Sequence, residues 1–189
     1  SRCGQVKKNP VAAAASFIAN MTGEDVLGGS QAKDGSWPWT VSICVKDWFG
    51  TCNFHAAGAI ISDRWVVTTY SGTDQAAKSS SYYVRAGSTN KGSDGQYVQV
   101  SDIWHLNDVS TVSHYDDIAL VKLGSSLQFN SDVQPICLPQ SDAGMVNTGS
   151  HAWFTGWGHS SDSAFATQET YLRQANLPFI DGGVCANKY

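Results

Sequence analysis

Charge is scarce in this chain, and basic clusters are missing altogether. Only 15% of its 189 residues are Asp, Glu, Lys or Arg, with a formal charge of −4. Neutralising a phosphate backbone takes a patch of lysines and arginines, which Lys7, Lys8 and the scattered remainder do not form, so nucleic acid is excluded as a partner. No Cys-x-x-Cys pair occurs, and no cysteine and histidine cluster stands at zinc-ligand spacing, so neither a metal nor a cofactor is expected. Long hydrophobic runs are also lacking. Val11 to Ala19, VAAAASFIA behind Lys7 and Lys8, has the length of a signal-peptide core but falls well short of the roughly 20 residues of a spanning helix, so no membrane span is expected. A cysteine precedes this stretch and a sequon follows it, so it reads as a pro-segment or linker whose signal peptide has already been removed.

Apolar residues, at 42%, are ample for a core, and 18 glycines and seven tryptophans accompany many short β-branched and aromatic runs. From Val26 onward these runs recur at Trp39 to Val45, Ala57 to Ile61, Trp65 to Thr69, Tyr82 to Gly87, Tyr97 to Ile103 and Ile118 to Leu123. Turn formers separate them, among them Asp34-Gly35, Lys91 to Gly95 and Gly124 to Ser126. This predicts an all-β barrel or sandwich. Gln128 to Gly149, with Pro135 and Pro139, reads as a linker. A second unit then begins, with room for a strand around Trp153, a loop through Ser160 to Thr167, a strand over Thr170 to Leu177 and a helical turn near Asp181 to Asn187.

The five cysteines, Cys3, Cys44, Cys52, Cys137 and Cys185, are widely scattered, which suits disulfides in an oxidising compartment. Asn20-Met21-Thr22 is a glycosylation sequon usable only there, so a secreted protein is expected, with Asn20 the modified residue. Cys44 and Cys52 flank VKDWFGT, whose aromatic and glycine residues suit a hairpin, and a local cross-strand bond is reasonable on geometric grounds. The odd count leaves one cysteine for an intermolecular bond, a free thiol, or a partner outside the chain.

Six segments in order resemble the chymotrypsin-like (S1) serine protease family: VLGG from Val26, WPWTVSI from Trp37, GAIISDRWVVT from Gly58, DDIALVKL from Asp116, QPICLP from Gln134 and FTGWG from Phe154. The resemblance covers Val26 to Tyr189. It implies a double antiparallel β-barrel with the active site in the cleft between barrels. Residues 1–25 would be a pro-segment-like extension and 26–189 the protease domain. Within that domain, 26–140 would hold the complete first barrel with its linker, and 141–189 the start of a second barrel that is only partly present.

The family's mechanism uses a serine nucleophile, a histidine base and an aspartate that orients the base. By the resemblance, Asp117 stands at the aspartate position. The family's Trp-Val-Leu-Thr-Ala-Ala-His-Cys stretch corresponds to Trp65-Val66-Val67-Thr68-Thr69-Tyr70-Ser71-Gly72, so Ser71 replaces the histidine, and a hydroxyl is not basic enough to serve. Gly72 replaces a cysteine whose family partner corresponds to Ala56, so both ends of that bridge are lost together. None of His55, His105, His114, His151 and His159 is expected to substitute. The nucleophile's Gly-Asp-Ser-Gly-Gly motif does not occur, and losing such residues costs roughly 10⁴ to 10⁶ in turnover. Glu24 and Asp25 precede Val26, where family zymogens carry the arginine or lysine at which activators cut.

The resemblance also implies a Cys3 to Cys137 bond and a partner for Cys185 lying beyond Tyr189. The expected function is that of a secreted, catalytically inactive homologue, a pseudoprotease acting through protein binding. The alternative is part of a trypsin-like endopeptidase whose catalytic half lies on other sequence. A further expectation is a protein partner that completes the second barrel.

Overall fold

The computed structural model describes residues 3–7, 29–73, 77–105, 117–141, 147–159 and 167–187. Asn20, residues 26–28, His114, Asp116 and most of the expected 160–167 loop lie outside the described residues. In chain order the elements are β1 (Ser30–Gln31), β2 (Thr40–Lys46), β3 (Cys52–Ser62), β4 (Trp65–Thr68), a 3-10 turn (Ser79–Ser81), β5 (Tyr82–Ala86), β6 (Gln96–His105), β7 (Ala119–Leu123), β8 (His151–Gly156), β9 (Arg173–Pro178) and α1 (Gly182–Ala186). The chain divides into two units, Ser1–Pro10 with Ala32–Cys137, and Val11–Gln31 with Leu138–Tyr189.

In the first unit, β2-β3-β4-β7-β6-β5 form a closed barrel in which every pairing is antiparallel. The two-residue side-chain period explains why these segments are strands. Tyr82, Val84 and Ala86 of β5 point inward, as do Ala119, Val121 and Leu123 of β7, while the residues between them are more exposed. Val41, Ile43, Ile60 and Val66 complete the centre of the core at 0% exposure. Burying each such side chain contributes about 1.5–3 kcal/mol.

Turn chemistry sets the register of the β5–β6 hairpin. Gly95 sits at φ +70°, and a Cβ there would lie 2.2 Å from the Ala86 carbonyl oxygen, so only glycine fits. The Arg64 guanidinium donates to the Leu123 and Gly124 carbonyls, closing the β3–β4 turn onto the end of β7. Two disulfides brace the unit, Cys3–Cys137 with Cα atoms 5.0 Å apart and Cys44–Cys52 with Cα atoms 5.3 Å apart.

Two strands extend past their apolar runs. β3 begins at Cys52 rather than Ala57, because the bridged hairpin carries the pairing with β2 through Cys44↔Phe54 and Lys46↔Cys52. β6 runs on to His105, because a bulge at Ser101, between Val100 and Asp102, lets pairing with β7 resume at Asp102↔Lys122.

The second unit holds a three-stranded sheet in the order β1-β9-β8. β8 and β9 pair over six residues and β1 and β9 over two. Trp157 and Leu172 are buried in this unit. Asp181 caps α1 by accepting from the Gly183 and Val184 N–H groups. Cys185 on that helix is a free, half-buried thiol.

Candidate functional site

The β4–β7 ladder, in register at Thr68↔Ala119, sets the end of β4 beside the start of β7. Ser71 follows the first of these strands by three residues and Asp117 precedes the second by two, so the barrel itself brings them together. The Ser71 N–H donates to Asp117 Oδ1 at 2.7 Å, and the Ser71 hydroxyl to Oδ2 at 2.9 Å. Both carboxylate oxygens are thus engaged by one residue, and both residues are exposed.

The turn that presents Ser71 is fixed from within. The Thr73 N–H and hydroxyl both donate to the Tyr70 carbonyl, at 2.9 and 2.8 Å, and the Gly72 N–H donates to Thr69 Oγ1 at 3.0 Å. A Cβ on Gly72 would stand 2.7 Å from the Ala56 Cβ, so the two positions read as the ends of a lost bridge are immediate neighbours. Upstream, Thr68 Oγ1 donates to the Ala57 carbonyl and anchors the last residue of β4 to β3.

Sequence reasoning did not single out the support around this turn. His105, the last residue of β6, has Nε2 2.9 Å from Thr73 Oγ1 and its ring edge-on to Tyr70 at 4.6 Å. The Thr73 hydroxyl proton is directed at Tyr70, so Thr73 accepts from His105 and the ring carries its proton on Nε2. Burial holds the His105 pKa below the usual histidine value, which favours the neutral ring. His105 therefore braces the turn on both sides of Ser71. No sequence pattern announces this, because the partners are 32 residues apart.

The remaining described histidines stand elsewhere. His55 is exposed on β3 against the edge of Tyr82, His151 is exposed on β8, and His159 bridges to Gln168 in the second unit. Among the described residues no cluster of three or more His, Cys, Asp or Glu could hold a metal ion. No helix among them is long and apolar enough to cross a membrane.

A hydroxyl hydrogen-bonded to a carboxylate is not an activated nucleophile. Taking the proton of a serine hydroxyl during peptide cleavage calls for a base matched to neutral pH, the part an imidazole plays in the family's mechanism. The pair fixes the turn that carries Ser71 beside the start of β7.

A closed six-stranded antiparallel barrel in one unit and a three-stranded antiparallel sheet in the other are consistent with the chymotrypsin-like class of serine protease domain. The trypsin family model matches residues 26–189, and the chain belongs to that family. It is similar to ovochymase of Halocynthia roretzi, 31% identical over 175 residues that cover 90% of this chain. The chain spans about a tenth of that relative's length, the match covering 11% of it.

Proposed function

We propose that this chain is a secreted serine protease homologue without peptidase activity, working by binding another protein. One observation carries the reading: the Asp117 carboxylate is taken by the N–H and hydroxyl of Ser71, at the point where the family's mechanism requires an imidazole. The adjacency of Gly72 to Ala56 supports the alignment that puts Ser71 at that position. The acidic Glu24-Asp25 ahead of Val26 agrees with a domain that needs no activating cut.

The two disulfides and the Asn20 sequon support an oxidising, extracellular setting. Residues 26–140 act as the first barrel with its linker and 141–189 as the start of the second, with 1–25 a pro-segment tethered through Cys3. Phe154, Tyr171, Ile180 and Val184, each about half exposed or more, give the second unit an apolar surface suited to a protein partner.

The test is hydrolysis of a panel of peptide substrates by the full-length protein, wild type against Ser71→His. The wild type is expected to give no turnover above background. Turnover at protease rates in the wild type would overturn the proposal.

A further inference from the structure

The most exposed large hydrophobic residues of the described chain are neighbours. Trp48 is 96% exposed and Phe49 is 91% exposed, at the tip of the β2–β3 hairpin. Two adjacent aromatics standing this far into water are a poor arrangement for solubility alone. The hairpin that carries them is rigid. Cys44–Cys52 clamps its base, and the backbone closes on itself through Asp47 N–H to the Thr51 carbonyl and Gly50 N–H to the Asp47 carbonyl.

The tip is also prepared to leave water. Asp47 Oδ1 accepts from the Phe49 and Thr51 N–H groups, both at 2.9 Å, and Oδ2 accepts from Asn53 Nδ2 at 3.1 Å. The amides of residues 49 to 51 are therefore satisfied inside the loop, and the one carboxylate of the tip is wrapped by three donors. Backbone amides that enter an apolar medium must be paired in this way.

The barrel face leading to the tip is cationic and aromatic. Lys46 Nζ lies over the Tyr83 ring at 4.9 Å, Tyr83 stacks on Tyr97 at 4.8 Å, and the Arg85 guanidinium covers the far side of that stack, 4.7 Å from Tyr97. Beside them, Lys91 Nζ stands 4.9 Å from Phe54, the residue opposite Cys44. Three cations thus line one face of a chain whose net charge is −4. Asp94 is the carboxylate nearest in sequence to Lys91, and it accepts the Ser93 hydroxyl.

We propose that this hairpin is a membrane-docking wedge, with Trp48 and Phe49 seating in the interface of a bilayer that carries anionic lipid and Lys46, Arg85 and Lys91 facing its headgroups. A bilayer is favoured over a protein because the apolar surface is a convex tip ringed by polar Asp47, Gly50, Thr51 and Asn53. A fluid interface accepts such a shape, whereas a protein would need a matching socket. Tryptophan prefers the headgroup level of a membrane, and each basic residue near an anionic surface strengthens attachment about fivefold. Two aromatics plus a basic patch combine buried apolar area with attraction to anionic lipid, the two contributions that set interfacial binding strength. The wedge does not depend on whether the domain cleaves peptides.

The experiment is flotation of the whole chain with phosphatidylcholine vesicles, with and without added phosphatidylserine. Binding is expected to be strongest with phosphatidylserine and to fall with salt. Trp48→Ser with Phe49→Ser removes side chains that stand almost wholly in solvent, and should weaken partitioning about tenfold or more. Lys46→Glu with Arg85→Glu should abolish the phosphatidylserine preference. Brominated lipid should quench the wild-type fluorescence, and the quenched component should vanish in Trp48→Phe. Absence of vesicle binding, or binding unchanged in the tip variant, would overturn the proposal. So would a purified protein partner that requires Trp48 while vesicles do not bind.

Discussion

In the first unit six strands return on themselves, so each has two neighbours and one shared interior. Val41, Ile43, Ile60, Val66, Tyr82, Val84, Val121 and Leu123 are all fully buried there. In the second unit β9 lies between a six-residue partner and a two-residue one, and Trp157 and Leu172 are its buried apolar residues among those described. Closure removes sheet edges and gives every strand a buried face, whereas an open three-stranded sheet leaves edges and half-covered apolar side chains such as Phe154. The retained site residues belong to the closed unit. The geometry around Ser71 and Asp117 is thus held by a closed, packed core.

Breaking the barrel's longest cross-link should have the largest effect. The Cys3–Cys137 bond spans 134 residues and the Cys44–Cys52 bond 8, so chain entropy predicts a loss of about 5 kcal/mol for removing the first and about 2.5 kcal/mol for the second. Paired serine variants in urea unfolding check the order. Next, Ile60→Ala in the barrel should cost about 2–5 kcal/mol, while Phe154→Ala, at a side chain 53% exposed, should stay within about 0.5 kcal/mol. Equal losses would remove the distinction between the units. Hydrogen exchange sharpens it further: amides of β2, β5 and β7 should open only with global unfolding, and those of β8 should exchange at least about tenfold faster.

The smallest effect is a pH dependence at His105. Its folded pKa lies below the usual value of about 6.5, so the unfolded chain binds more protons once the pH drops under that value. The contribution of this residue to stability is full above pH of about 6.5 and is lost as the pH falls through the folded pKa. Thermal melts from neutral to mildly acidic pH should show a declining midpoint, and His105→Gln, which keeps a donor for Thr73, should flatten the decline.

Much of this architecture could be read from the residues. Alternation of large apolar side chains located β2, β4, β5 and β7 to within about two residues, because burial on one face forces that period. The first half of β3 was missed because Asn53 and His55 are polar and Ala56 is small, and what makes the segment a strand is its pairing with β2. β1 was missed because Ser30-Gln31 carries no pattern at all and pairs only through Arg173 and Gln174. At the site, Asp117 and Ser71 could be named from motif order, but their two hydrogen bonds, and the brace of Thr73, Tyr70 and His105, depend on contacts across 32 to 46 residues. The exposure of Trp48 and Phe49 was equally hidden. Aromatics in a hairpin usually fold back onto a sheet, and only the path of the bridged loop leaves these two in solvent.

A barrel of the trypsin family here holds serine, not histidine, against Asp117. Labelling the full-length protein with a fluorophosphonate active-site probe tests the consequence, that no serine is activated as a nucleophile. No stoichiometric modification of any serine is expected at neutral pH. One covalently labelled serine per molecule, at the rate of a working protease, would contradict it.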